Sequence, residues 1–330
     1  MANQQIDVVG MGNAIVDVLV QADEAFLARQ GLTKGAMTLV DAERSRELYS
    51  QMKGTLECSG GSAANTLVGI ASFGGSAAFI GKVGADELGR VFATDIRRVG
   101  VGFDTPAHDG GTETGRCLVL VTPDAQRTMQ TFLGASALLG PEDVDPRRLA
   151  QGRITYLEGY LWDAPPAKQA MRLAATLARR AGRKVALTLS DPFCVDRHRE
   201  EFLDLIDTAV DVVFANRDEA LALFQTEDLE EACRRLSERT EIAVVTLGAR
   251  GSVAMRGSER AVVEPLAIGP VVDTTGAGDL YAAGFLHGLV REHSLAACGR
   301  LGSLAAGEVI SHFGARPMRD LAGLAAEHGA

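Results

Sequence analysis

Short apolar runs bounded by turn residues alternate with segments whose apolar positions recur at helical spacing over most of the chain. The runs Ile6 to Met11, Ala77 to Ile80, Ile154 to Glu158, Val185 to Leu189, Val210 to Ala215 and Ile242 to Leu247 predict strands. Between them, Ser62 to Phe73, Glu87 to Val99, Ala167 to Ala181, Glu219 to Phe224 and Leu229 to Arg239 predict helices. The alternation predicts an α/β fold: a mainly parallel central sheet covered on both faces by helices, a three-layer sandwich. Two stretches break the rhythm. Asp17 to about Val40 and Gly111 to about Phe132 hold shorter β-like runs, Cys117 to Thr122 among them, with a turn signal at Pro123-Asp124. On pattern alone they form either a small separate sheet or an edge hairpin of the main one.

Composition narrows the class. A hydrophobic content of 46% with 23% charged residues is that of a soluble globular protein, and α/β sheets in chains of 330 residues commonly form one core with additions. We therefore read residues 1–330 as one domain, with the stretches at about 17–40 and 111–132 inserted in it. The formal charge of −10 argues against a general binder of nucleic acid or anionic membrane, both of which call for a basic surface. Five widely spaced cysteines without a Cys-x-x-Cys pair fit reduced thiols in a cytoplasm, not a disulfide frame or a zinc site. The N-terminus lacks a basic region followed by an apolar core, and no run approaches the length of a membrane span.

The stretch that carries chemistry is Asp273-Thr274-Thr275-Gly276-Ala277-Gly278-Asp279. Ala282, Phe285, Leu286 and Leu289 follow at helical spacing, so this small-residue turn opens a helix. Unpartnered N–H groups and the positive end of the helix dipole suit a phosphate there. A carboxylate at Asp279 is repelled by such a ligand. It serves either as a helix cap or as the group that takes a proton from an attacking hydroxyl. Other nucleotide signatures are absent. Gly10-Met11-Gly12 lacks the third glycine of a dinucleotide loop, Gly75 to Lys82 does not make a Walker A loop, and there is no His-Arg-Asp or Asp-Phe-Gly pair.

Two motifs, Asp273 to Asp279 and Gly60-Gly61-Ser62-Ala63-Ala64-Asn65 with its continuation through Gly74-Gly75 to Gly81-Lys82-Val83-Gly84-Ala85-Asp86-Glu87-Leu88-Gly89, resemble the two signatures of the ribokinase/PfkB family of carbohydrate and nucleoside kinases. The resemblance implies a ribokinase-like sandwich whose two irregular stretches pair as a β-sheet lid over the substrate. It also implies an ATP-dependent kinase that uses Mg²⁺, acts on a small nucleoside or sugar, and exists as a monomer or homodimer.

Residue by residue, the resemblance makes Asp279 the base, with the backbone of Gly276, Ala277 and Gly278 holding the transferring phosphate. Arg127 aligns with a lid arginine that approaches that phosphate; an exposed lid charge is the alternative. Gly12 to Asp17 resembles the substrate motif of adenosine kinases, which gives Asn13 and Asp17 to the ribose, and Gly61 and Asn65 become sugar contacts. Asn216 and Glu219 fall where Mg²⁺ is held through water near the phosphates, although Asn-x-x-Glu at a helix start is also a capping box. Thr246 and Gly248 match the ATP loop, or form only a hairpin turn. Asp273 and the Gly314 region match a monovalent-cation site, K⁺ in relatives. Tyr156 to Tyr160 and Leu187 to Phe193 lean towards adenosine kinases, with Phe193 as a stacking face for the purine or as a core residue. Met37, Leu161 and Thr275 depart from that branch, which leaves guanosine, inosine or a free sugar such as ribose or fructose as alternatives, and a nucleoside-binding sensor without transfer as a different class.

Overall fold

The computed structural model describes residues 5–124 and 126–329. In chain order its strands are β1 (Ile6–Met11), β2 (Ile15–Gln21), β3 (Met37–Leu39), β4 (Leu56–Gly60), β5 (Ala77–Ile80), β6 (Val101–Phe103), β7 (Thr114–Val121), β8 (Arg127–Gly134), β9 (Gly152–Glu158), β10 (Lys184–Thr188), β11 (Val212–Asn216), β12 (Ile242–Thr246), β13 (Ser252–Arg256) and β14 (Glu259–Val263). The helices are α1 (Glu24–Gln30), α2 (Ala42–Gln51), α3 (Ser62–Ser72), α4 (Glu87–Arg98), α5 (Pro146–Gln151), α6 (Pro165–Arg180), α7 (Pro192–Ala209), α8 (Arg217–Phe224), α9 (Leu229–Ser237), α10 (Ala277–Leu289), α11 (Leu295–Val309) and α12 (Leu321–His328).

Nine strands form one sheet in the order β14-β13-β12-β11-β10-β9-β1-β5-β6. All neighbours from β12 to β6 are parallel, and β13 and β14 close the far edge as an antiparallel hairpin. Alternate residues of β1 feed opposite cores: Val8 packs with α3, α10 and α11, Val9 and Met11 with α6 and α7. This is why the central strands read as unbroken apolar runs. All six predicted strands are present, within two residues at each end.

The chain leaves β1 towards β5 on one side and returns through β9 on the other, so the order reverses between β1 and β9. At such a switch point the helices leave a crevice outside the carboxyl ends of the strands. That crevice is where the site lies.

The smaller sheet has the order β3-β8-β7-β2-β4, which settles the choice between a separate sheet and an edge hairpin. It includes β4, which the pattern did not predict, and the stretch from Asp17 to Val40 contains helix α1 as well as β-structure. Both faces of this sheet are not equally buried. Val16, Val18 and Leu118 join the core, whereas Met37 and Leu39 of β3 are exposed. Among the described residues no helix is long and apolar enough to cross a membrane.

Helix α10 is anchored through Phe285, fully buried and edge-on to Phe214 of β11, with Tyr281 stacked beside it. Phe285→Ala should therefore cost about 3–5 kcal/mol, the usual loss for an emptied aromatic site. The midpoint of urea unfolding measures it.

Candidate active site

A cavity of about 730 Å³ opens at the switch point, within the size range of small-molecule sites. The carboxyl ends of five parallel strands reach its wall, through Asn13 after β1, Glu158 at the end of β9, Ser190 after β10, Asn216 ending β11 and Thr246 ending β12. Asp17 of β2 and Met37, Thr38 and Leu39 of β3 bring the smaller sheet to the same space. Helices α3 and α10 point their N-termini at it.

The two helix starts differ in one respect. Gly61 precedes α3 with φ of 98°, and a Cβ there would sit 2.1 Å from the Asn13 carbonyl oxygen, so only glycine permits the approach. The α3 N–H of Ala63 is then satisfied from outside by Glu158 Oε2, at 2.8 Å. Gly276 precedes α10 with φ of 77°, pressed against Ala315, and no side chain caps that helix. Residues Gly276 to Gly278 line the cavity; the Ala277 N–H donates to the Thr274 carbonyl, which leaves the N–H groups of Gly276 and Gly278 as the turn's candidate anion donors.

Asp279 is the third residue of α10, yet it does not cap it. Its Oδ1 accepts the Ser62 hydroxyl at 2.6 Å and its Oδ2 the Asn65 amide at 2.9 Å, both from α3. These bonds go to α3 and not to the first turn of its own helix, which counts against the capping account. Burial pushes its pKa up, while Ser62, Asn65 and the Arg316 guanidinium pull it down. Asn65 Oδ1 is buried without a partner among the described residues, an acceptor left over on the cavity wall.

Asp17 lies within β2, not at a strand end, between Cys58 of β4 and Cys117 of β7 in register. It lines the cavity. Burial raises its pKa to about 6, against the pull of Arg316 and Arg127 and with the push of Asp279. Asn13 is committed to the protein: its amide donates to Glu158 Oε1 at 2.8 Å and its Oδ1 accepts from Ser136 at 3.0 Å.

Several expectations change. Arg127 does not line the cavity; it forms an ion pair with Asp273, both side chains being nearly inaccessible. The Asp273 carboxylate also accepts the N–H of Thr275 and of Gly314, each at 3.0 Å. With a guanidinium and two backbone donors on it, this carboxylate does not fit a monovalent cation, and we assign none there. Gly248, with φ of 60°, is a turn residue outside the cavity wall, whereas Thr246 is part of it. Leu161 is buried in the core on the α6 side and is not part of the cavity wall, whereas Tyr160 is. Phe193 is not a core residue. It is 74% exposed and lines the cavity, as do Met37 and Leu39, so these three make an apolar rim.

Asn216 and Glu219 form the capping box of α8, with bonds of 2.9 Å in both directions, and both also line the cavity. Burial lifts the Glu219 pKa to about 7. No group of three or more metal-binding side chains exists among the described residues. Both Glu219 oxygens accept donors of Asn216, so this buried carboxylate suits a Mg²⁺ ion held through water and not one bound directly.

Glu158, Ser62 and Arg316 were not singled out from the sequence. Glu158 carried a signal, as an acid at the carboxyl end of an otherwise apolar strand. Ser62 and Arg316 carried none outside the motifs.

Glu158 is fully buried and holds Asn13 and Ala63 together; burial raises its pKa to about 7 despite the three N–H groups it accepts. Unfolding returns Glu158 and Glu219 to the ordinary glutamate range near 4.5. Between those values the folded protein binds more protons than the unfolded one, so these groups make stability fall as pH rises through the window. Glu158→Gln, which has no proton to lose, should shrink the drop in unfolding free energy between about pH 5 and about pH 8. Urea titrations of both proteins at the two pH values give the comparison.

The sequence matches the family model described as pfkB family carbohydrate kinase over residues 33–321. Among solved structures, the chain is similar to adenosine kinase from Sinorhizobium meliloti, at 52% identity and TM-score 0.92, covering 99% of this chain and 100% of that one. It is also similar to a probable sugar kinase protein from Rhizobium etli CFN 42, at 50% identity and TM-score 0.92, covering 99% of each chain. A probable chloroplastic fructokinase-6 of Arabidopsis thaliana is 33% identical over 248 residues, which span 72% of this chain and 63% of that protein.

Proposed function

The chain belongs to the pfkB family of carbohydrate kinases, ATP-dependent phosphotransferases acting on hydroxyl groups, and from that premise we propose that it phosphorylates the 5′-hydroxyl of a ribonucleoside, adenosine first. One observation carries the choice of a nucleoside: the cavity joins a carboxylate floor to an apolar rim of Met37, Leu39 and Phe193. A purine offers a wide π-face to stack on such a rim, a larger apolar contact than the C–H face of a free sugar gives. The similarity to an adenosine kinase supports the reading, and the similarity to a sugar kinase and a fructokinase keeps sugars in the test.

In this reading Asp17 accepts the ribose hydroxyls as a charged two-oxygen acceptor, and the unpartnered Asn65 Oδ1 adds a further acceptor. Asp279, oriented by Ser62 and Asn65, aligns the 5′-hydroxyl and takes its proton as the oxygen attacks the γ-phosphate in line. The backbone of Gly276 to Gly278 stabilises the charge on that phosphate. Thr246 contributes to the ATP side. Glu219 and Asn216 would hold Mg²⁺ through water, and the ion would neutralise phosphate charge when bound. The smaller sheet acts as a lid over the nucleoside. For Arg127 to reach the transferring phosphate, it must exchange Asp273 for that anion.

Asp279→Asn should lower kcat by at least about 10²-fold, the lower range for a positioned base, with nucleoside affinity little changed. Turnover near the parent's in a folded variant would remove Asp279 from the chemistry. Phe193→Ala should weaken adenosine by about ten- to a hundredfold, the worth of base stacking, and leave ATP affinity unchanged. Titration calorimetry with each ligand separates the two. A coupled ADP-release assay across adenosine, guanosine, inosine, ribose and fructose decides the substrate, and a higher kcat/KM for either sugar would overturn the nucleoside reading. Because Asp17 must be ionised to accept hydroxyls and its pKa is about 6, kcat/KM for the nucleoside should fall on the acid side of that value.

A further inference from the structure

Three consecutive residues after α11 touch both halves of the site. Gly314 donates its N–H to Asp273, at the head of the phosphate-binding turn, and Ala315 packs under Gly276 within that turn. Arg316 reaches the other way. Its Nε donates to the Ser59 carbonyl at 3.1 Å, its Nη2 to the same carbonyl and to the Ser59 hydroxyl, and its Nη1 to the Ala64 carbonyl at 3.2 Å. Ser59 ends just before the Gly60-Gly61 turn and Ala64 lies just after it, so the guanidinium spans the turn. Ser62 and Asn65, on either side of Ala64, are the residues that hold Asp279. Ser59 is itself fixed by Asp95 of α4, which accepts its N–H at 3.0 Å and its hydroxyl at 2.7 Å.

We infer that Arg316 is a positioning residue that holds the hydroxyl-binding turn (59–65) in register with the phosphate-binding turn (273–279). The task needs a planar fork with several donors at fixed angles, which an ammonium group does not provide. Arg316 is not part of the cavity wall and acts through its neighbours. Its position also puts a buried cation near Asp17 and Asp279, lowering the pKa of both against the push of burial. The other ionisable groups around the two carboxylates are Arg127 of β8, Cys58 of β4, Cys117 of β7, and Tyr156, Glu158 and Tyr160 at the end of β9.

The inference rests on the roles given to Asp17 and Asp279, and it does not depend on which substrate the enzyme prefers. The test uses Arg316→Met and Arg316→Lys, assayed with adenosine, or with ribose or fructose if the parent enzyme favours one of those. Displacement of the two turns by about 1 Å predicts a kcat lower by about ten- to a hundredfold in both variants, with ATP affinity by calorimetry within about twofold of the parent's. Loss of the cation should also move the acid limb of kcat/KM to higher pH in the Met variant, and retention of charge should restore that limb in the Lys variant. A merely structural role would lower the unfolding midpoint and leave both kcat per folded molecule and the acid limb in place, which would overturn the inference. If Arg316→Met does not fold, the Lys variant decides alone: parental kcat in folded Arg316→Lys overturns the claim. Asp279→Asn, assayed alongside, separates a failure of this inference from a failure of the catalytic assignment, because only the latter leaves Asp279→Asn active.

Discussion

The site depends on a buried carboxylate whose hydrogen-bond partners come from a helix other than its own. Asp279 sits on α10 but takes its hydrogen bonds from α3, so its side chain joins two helices far apart in sequence that also pack through Gly69, Leu280 and Ala283. A carboxylate in low dielectric rises in pKa unless donors and cations surround it. Here two α3 donors and the Arg316 guanidinium oppose burial. The same guanidinium opposes burial at Asp17. The surrounding polar structure works against burial at both carboxylates, and burial still raises the pKa of each.

The two helix starts show how backbone donors are divided between structure and ligand. Each begins with a glycine at positive φ, because a neighbouring backbone or side chain occupies the space a Cβ would need. At α3 the donor of Ala63 is already paired with Glu158, so that N–H is taken up by the protein itself. At α10 no side chain takes the equivalent place. An uncapped, small-residue helix start beside a proton acceptor is suited to a transferring phosphate, and a second capped one beside it holds the acceptor still.

The parts legible in the sequence were those with a local period or a local motif. Central strands such as β1, β9 and β12 were readable because burial on both faces leaves an unbroken apolar run, and Gly276 to Asp279 was readable because a turn concentrates its chemistry in adjacent residues. Helix α11, Leu295–Val309, had no readable stripe: small and apolar residues occur all round it, and it is buried on nearly every side. Helix α7 failed for the opposite reason. Its charged first half departs from helical geometry at His198, so no continuous apolar face runs along its length. Strand β4 is short, and its pairing with β2 is decided by partners rather than by propensity.

Charge pairing over long sequence separations was the least legible feature. Arg127 and Asp273 were each recognised as site residues, one for a phosphate and the other for a cation, and nothing local in either segment indicated that they would pair with each other. Both belong where a cation and an anion are wanted, and in the structure each supplies the other's need. The pair ties the first residue of β8, in the smaller sheet, to the head of the phosphate-binding turn. In the proposed mechanism an incoming phosphate would compete with Asp273 for the same guanidinium, so its arrival and the release of that tie would be linked by charge. Buried pairs of this kind lose much of their Coulomb energy to desolvation, which keeps such an exchange within reach of one ligand-binding event.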